Sequence, residues 1–308
     1  MSGPITALPQ GGFRVQLTNP TSGNWDSFIE DNAALAPRED GKLRVARPNA
    51  RSGKHVVICG AGPSLRGEDS RRALENAIGQ VWGCNSAMGW LAEHGLPVTH
   101  GFAIDQTDGL LNEWAQVENA RYYLATSCNP MLVKHLLAHG KHVTFFHNFV
   151  GSPREFELYT RLWPSTVMVG DGLNSVNRAA CLARFLGYAR ITILGADCGW
   201  KADEPFHANG DSPTAHGATP VVLTGEIDGR RWHTKPDMLF SAVALVKWAR
   251  SMGNRVRIVG DTLVNALMDK PKAFLDRVAV LGDLDRMPGM TERAVPKGRD
   301  FVSDVFKG

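Results

Sequence analysis

The stretch His55 to Leu65, HVVICGAGPSL, constrains this chain more than any other. Four apolar or β-branched residues, Val56 to Cys59, run straight into a turn carrying Gly60 and Gly62. Pro63 and Ser64 follow, and both suit the first turn of a helix. The expectation is a strand, a tight loop and a helix start. Glycines let a backbone approach a ligand closely, and the N–H groups of a helix terminus attract a phosphate or carboxylate. The spacing is neither GxGxxG, because Leu65 stands where the third glycine would be, nor a P-loop, because no Lys-Ser/Thr pair closes it. A plain strand-to-helix turn is the alternative reading.

From His55 onward the pattern is regular. Apolar strand candidates at 56–59, 81–84, 98–104, 121–126, 142–146, 191–196 and 255–259 alternate with helical stretches at 70–78, 86–94, 109–116, 130–139, 174–186 and 236–252. Such alternation predicts an α/β fold, a Rossmann-like, mostly parallel sheet with helices on both faces. Strands this apolar are buried on both sides. Residues 1–54 are rich in turn formers, with one helical candidate at Trp25 to Leu35, and read as an irregular N-terminal extension. The Rossmann-like domain then spans 55–270 and a C-terminal tail spans 271–308, its last ~20 residues weakly patterned. Within the domain, 199–235 breaks the rhythm and reads as a lid, with a hairpin from Val221 to His233 turning at Asp228-Gly229.

Charge and cysteine usage narrow the class. With 34 basic and 31 acidic side chains the net charge is +3, so the bulk balance indicates neither nucleic acid nor an anionic membrane as partner, although it leaves room for a local basic patch. The five cysteines, Cys59, Cys84, Cys128, Cys181 and Cys198, are widely spaced and read as buried thiols in a reducing compartment. No leader-like segment and no apolar run of the ~20 residues needed to span a bilayer is present. The chain is expected to be soluble and cytoplasmic.

Ligands of open α/β sheets bind at the carboxyl ends of the strands, so polar residues just after strand candidates carry the chemistry. Asn85 follows VWGC, Asp105 follows GFAI, Ser175 opens a helix, and Asp197 follows ITILGA. With Gly60, Gly62, Pro63 and Ser64 they form the expected nucleotide-binding set. A carboxylate there can accept ribose hydroxyls, bind Mg²⁺ or act as a base. Asp105 and Asp108, three residues apart, would suit Mg²⁺ beside a triphosphate. His207, His216 and His233 lie in or beside the lid and are candidates for a general base. A surface histidine with no special role is the competing reading for each.

The motifs GAGPSL, CNS, AID and NSVNRAACLARFLGYARITILGADC resemble one superfamily over residues 55 to about 268. It joins the archaeal MptE-like 6-hydroxymethylpterin pyrophosphokinases, the motility-accessory-factor glycosyltransferases and the bacterial CMP-sialic-acid transferases, and phages also encode members. The resemblance to the sialyltransferases implies that the glycine loop, the Cys84-Asn85 pair, Asp105, Ser175 and Asp197 surround a cytidine nucleotide without metal. It also implies that His233, ahead of a helix and final strand, is the catalytic histidine. Cys198-Gly199-Trp200 stands where those enzymes have tyrosines. The resemblance to the pyrophosphokinases implies ATP and Mg²⁺ held by Asp105 and Asp108. The expected function is therefore a nucleotide-dependent transferase, a glycosyltransferase using a nucleotide-activated sugar and a hydroxyl acceptor, with His233 and Asp105 catalytic. The alternatives are an ATP- and Mg²⁺-dependent pyrophosphokinase and a non-catalytic phage assembly or binding module, in which case the compartment is the host cytoplasm.

Overall fold

The computed structural model describes residues 5–7, 13–15, 25–35, 41–106, 109–111, 114, 117–149, 153–164, 168–170, 174–201, 204–210, 222–227, 229–269 and 279–281. In chain order, β1 (Ile5–Ala7) and β2 (Phe13–Val15) form an antiparallel pair. The main sheet begins with β3 (Leu43–Val45), β4 (His55–Cys59), β5 (Gln80–Cys84) and β6 (His100–Ala103). It continues with β7 (Arg121–Ala125), β8 (His142–Asn148), β9 (Met168–Val169) and β10 (Arg190–Leu194). After β11 (Trp200–Lys201), β12 (Val222–Ile227) and β13 (Arg230–Thr234), the chain returns to the main sheet as β14 (Val256–Ile258). Among the described residues the chain ends on β15 (Ala279–Leu281).

The main sheet has nine strands, ordered β14-β10-β4-β5-β6-β7-β8-β3, with β9 beside β3 on the edge of β8. Its pairings are parallel, so the α/β doubly wound architecture expected from the alternation is the one observed. The chain steps from β4 outward to β8, then returns to lay β10 on the other side of β4 and β14 beyond it. The strand order reverses between β4 and β10, which is where such sheets open a crevice.

Both faces are covered because the strands are apolar on both. Val56 and Ile58 belong to the core formed with Trp82, Phe102 and the helix Ser175–Phe185, through Ala179, Ala180 and Ala183. Val57, Cys59 and Val81 face the other way, against Leu74 of the helix Glu68–Glu75 and Ala87 and Leu91 of the helix Ser86–Glu93. Small residues on Ser175–Phe185 let it sit close to the sheet, so its first turn reaches the carboxyl edge. None of the five cysteines forms a disulfide, and four are buried.

Three features depart from expectation. Part of 1–54 is built into the body: β3 pairs with β8, and the helix Trp25–Ala34 places Asn32 so that its Nδ2 donates to the carbonyls of Thr126 and Cys128 at 2.9 and 2.8 Å. A three-residue strand is too short to show a period of two, which is why turn formers dominated the reading. The helix Pro153–Leu162 was not anticipated, because its buried face includes Glu155 and Tyr159 beside Leu158. The lid is more than a hairpin. β12 and β13 pair with Ile227 opposite Arg230, and β11 and β15 extend them into a four-stranded antiparallel sheet. Asp228 at the expected turn, half of the helical stretch 109–116, and the tail beyond 281 lie outside the described residues.

Candidate functional site

The carboxyl ends of β4 and β10 touch. Gly60 N–H donates to the carbonyl of Leu194 at 2.8 Å, and Gly62 N–H to that of Gly195 at 2.9 Å. A Cβ on Gly62 would lie 2.0 Å from Asp197 Oδ2, and one on Gly60 would lie 2.5 Å from the carbonyl oxygen of Gly195. The glycines therefore permit loop-on-loop packing across the switch point. That differs from the expected cradle, in which the loop's N–H groups face a ligand: those of Gly60, Gly62 and Ser64 are donated inside the protein. Nor does the loop enter an α-helix directly. Pro63–Arg66 is one 3-10 turn, and Gly67 separates it from Glu68–Glu75.

Gly195 carries the sharpest requirement, since its φ is +61° and a Cβ there would lie 2.2 Å from the carbonyl oxygen of Gly60. Left-handed backbone and overpacking add, so Gly195→Ala is expected to lose roughly 2–5 kcal/mol of stability. Chemical denaturation of the variant against wild type measures it; a loss under about 1 kcal/mol would mean that the loops are not in contact.

Asp197 and Ser64 lock this junction. Ser64 N–H and Oγ–H both donate to Asp197 Oδ2, at 3.2 and 2.8 Å. Burial pushes Asp197 up to about 7, against the two Ser64 donors that favour its ionised form. Next along the chain, Cys198 has φ +53°, and its sulfur accepts from Asn174 Nδ2 at 3.5 Å. Burial pushes the Cys198 thiol up to about 12, so it is not a nucleophile at neutral pH.

A second cluster joins three predicted residues. Asn85 Nδ2 donates to Asp105 Oδ2 and, at 3.0 Å, to Ser175 Oγ. Asn85 sits at φ 49°, ψ −127°, a conformation rare outside glycine that costs on the order of 1–3 kcal/mol. It is held there by its own N–H to the carbonyl of Phe102 (3.0 Å) and by Trp114 Nε1–H to its carbonyl (3.2 Å). Among the described residues Asn85 Oδ1 is buried without a partner. Burial raises the Asp105 carboxyl, partly offset by the Asn85 donor.

The start of Ser175–Phe185 lies between the two clusters. A Cβ on Gly60 would meet Val176 at 2.7 Å, Asn174 reaches Cys198, and Ser175 reaches Asn85. Asn174 is the N-cap, with Oδ1 accepting from Asn177 N–H at 2.9 Å, so this eleven-residue helix presents its positive end at the carboxyl edge of the sheet. Ser175 opens the helix, as the sequence predicts, and the cap is the asparagine of NSVN before it.

The lid brings His207 and His233 onto one chain of rings. His207 lies 4.2 Å from Phe206, Phe206 is edge-on to Trp200 at 5.0 Å, and Trp200 lies 5.8 Å from His233. The Phe206 end is pinned to the glycine loop, because Ala208 N–H donates to the carbonyl of Ala61 at 2.7 Å and Arg66 Nε donates to the carbonyl of Ala208. The His233 end is pinned through the next residue, Thr234, whose hydroxyl donates to the carbonyl of Cys198 at 2.6 Å. His233 is half-buried in β13 opposite Trp200, and burial, with Arg231 second, lowers its pKa from the ordinary value. Lys235 follows, with Nζ 4.2 Å from the centre of the Phe206 ring; burial lowers its pKa, partly offset by Asp237. Sequence reasoning missed Lys235, Phe206 and Ala208, since only the fold carries 204–210 back to Ala61.

His216 and Asp108 lie outside the described residues. Among the described residues no group of three or more His, Cys, Asp or Glu is placed to hold a metal ion.

Compared with known proteins, the chain matches no protein-family model and no curated protein. Among solved structures it is similar to the MAf glycosyltransferase from Magnetospirillum magneticum AMB-1, with a TM-score of 0.54 and 14% identity over 80% of this chain. The match covers 41% of that chain, so this protein spans about two fifths of the length of that structure. A mammalian sialyltransferase in complex with Gal-beta-1-3GalNAc-ortho-nitrophenol aligns at a TM-score of 0.43 and 13% identity, over 79% of this chain and 81% of that one. At such identities the likeness to the bacterial enzyme is one of fold.

Proposed function

We propose that this protein is a glycosyltransferase that binds a nucleotide-activated sugar in the switch-point cleft and passes the sugar to a hydroxyl acceptor. The observation that carries the reading is the convergence of Ser64, Asn85, Asp105, Ser175 and Asp197 on the start of one capped helix at the sheet's carboxyl edge. The strained backbone of Asn85 supports it, because such conformations collect at ligand sites. The shared fold with a glycosyltransferase supports it as well.

In this reading the acceptor oxygen bonds to the anomeric carbon as the bond from that carbon to the donor phosphate breaks. The electron pair leaves on the phosphate and the acceptor proton goes to a base. Ser175 and the first-turn N–H groups of its helix other than that of Asn177, which the cap takes, receive the phosphate, since an α-helix does not use those donors within itself. The glycine loop acts through shape, holding Asp197 and the 204–210 segment in place, and Lys235 adds positive charge from the lid. Asn85 and Asp105 hold the nucleoside. His233 is the base: burial and Arg231 favour its neutral form, the one that accepts a proton near neutral pH.

Calorimetry against CMP, CDP, UDP, GDP and ATP, each with and without Mg²⁺, tests the reading. Mg²⁺-independent binding of a nucleotide carried by sugar donors is the expected result. Binding of ATP alone, and only with Mg²⁺, would replace it with a pyrophosphokinase, and no binding at all would leave a fold kept as an assembly module.

A further inference from the structure

The opposite pole of the sheet has its own character. Three segments that meet at the amino ends of β4, β10 and β14, residues 47–55, 184–190 and 250–257, contain eight arginines and lysines and no aspartate or glutamate. The rest of the chain carries 26 basic against 31 acidic side chains, so these three segments hold the whole of the sequence's positive excess.

The fold brings these segments together. The carbonyl of Lys54 accepts the N–H groups of Ala189 and Arg190, Arg51 N–H donates to the carbonyl of Leu186, and Arg190 lies opposite His55 in the sheet. Arg184 and Arg255 stand in one groove of about 580 Å³, with Asn49, Tyr188 and Met252. Lys54, Arg184, Arg190, Arg255 and Arg257 are exposed, and none of them pairs with a carboxylate among the described residues. The carboxylate nearest along the chain to β5's foot, Glu75, is engaged by Arg71 at 3.0 Å.

At the same pole stands Ile78, 85% exposed. It directly precedes Gly79, which packs against the carbonyl of His55 at the foot of β5.

We propose that this pole lies on an anionic lipid bilayer as a peripheral membrane face, with Ile78 entering the interface and the arginines and lysines meeting the headgroups. Charge complementarity alone would also fit a nucleic acid. The bilayer is favoured because the side chain presented with the cations is aliphatic, while the rings of these segments, Phe185 and Tyr188, are half-buried and buried and offer no stacking surface. The strands run from this pole to the cleft, so a docked molecule turns the cleft to the aqueous side.

Co-sedimentation of the full chain with vesicles tests the proposal, comparing phosphatidylcholine alone with phosphatidylcholine and phosphatidylserine at about three to one. Binding to the anionic vesicles alone, weakened by salt, is expected. Arg184→Glu with Arg255→Glu should weaken it at least ten-fold, since each cation near such a surface contributes roughly a five-fold factor. Ile78→Ser, a surface change that leaves the charges intact, should weaken it several-fold. Equal binding to neutral vesicles, no binding to either, wild-type binding by the double variant, or capture of duplex DNA or RNA without vesicle binding would overturn the proposal.

Discussion

Replacement of His233 by alanine is expected to lower turnover by roughly 10²–10⁴-fold while leaving nucleotide affinity nearly unchanged. The ring lies on the lid, one residue from the Thr234 hydroxyl that holds the carbonyl of Cys198, so it borders the cleft without belonging to the Asn85, Asp105 and Ser175 cluster. Its environment supports a base. Burial and Arg231 lower its pKa, so the neutral imidazole persists further into the acid range than an exposed histidine's would, and turnover should fall only as pH drops below the ordinary histidine value. Steady-state kinetics over pH and calorimetry on the same variant separate the two roles. A variant with near-native turnover would take His233 out of the mechanism. His207, at the other end of the same ring chain and beside the Ala208 contact with the glycine loop, would then be the base to test.

The second large effect is on stability and comes from Asp197. Burial sets its folded pKa at about 7 against an ordinary 3.8, so between these values the folded protein holds a proton that the unfolded chain has released. Stability from this residue is therefore full below about pH 3.8 and is lost as pH rises towards 7. The loss is on the order of 4 kcal/mol at ~1.36 kcal/mol per pH unit. Asp197→Asn keeps an Oδ1 that can accept from Ser64 N–H and Oγ–H but has no proton to lose. The variant should thus gain on wild type between pH 4 and 7, read as a growing difference in denaturation midpoint. His100 and His147, held neutral at about 3 and 4 by burial, act with the opposite sign, losing stability as pH falls; they are common to both proteins and cancel. A difference that stays flat with pH would mean that Asp197 is ionised in the fold.

Most of the architecture was legible because it rests on long, strongly patterned segments. HVVIC and VWGC are apolar on both faces, as central strands are, RITIL runs apolar into Gly195, and NSVNRAACLARF shows its cap and its small packing face together. The positions after those strands do gather on one helix start. What the sequence concealed is of two kinds. Contacts between distant segments have no local signature: the return of Phe206 to Ala208 onto Ala61, the seating of Lys235 over Phe206 and the pairing of Leu43 to Val45 with β8 exist only once the chain is folded. The glycines misled for a subtler reason. A glycine that admits a ligand and one that admits a second loop look alike in sequence, and here Gly62 is occupied by Asp197 and Gly60 by Gly195.

Amide chemical shifts of the full chain, followed on titration with CMP, show most directly whether a nucleotide sits at the switch point, along the carboxyl ends of β10, β4, β5 and β6. Shifts concentrated on Ser64, Asn85, Asp105, Ser175 and Asp197, with the groove of Asn49, Arg184 and Arg255 unmoved, are the predicted result. Shifts confined to that groove, or none near Asn85 and Ser175 with this or any other nucleotide of the panel, would contradict it.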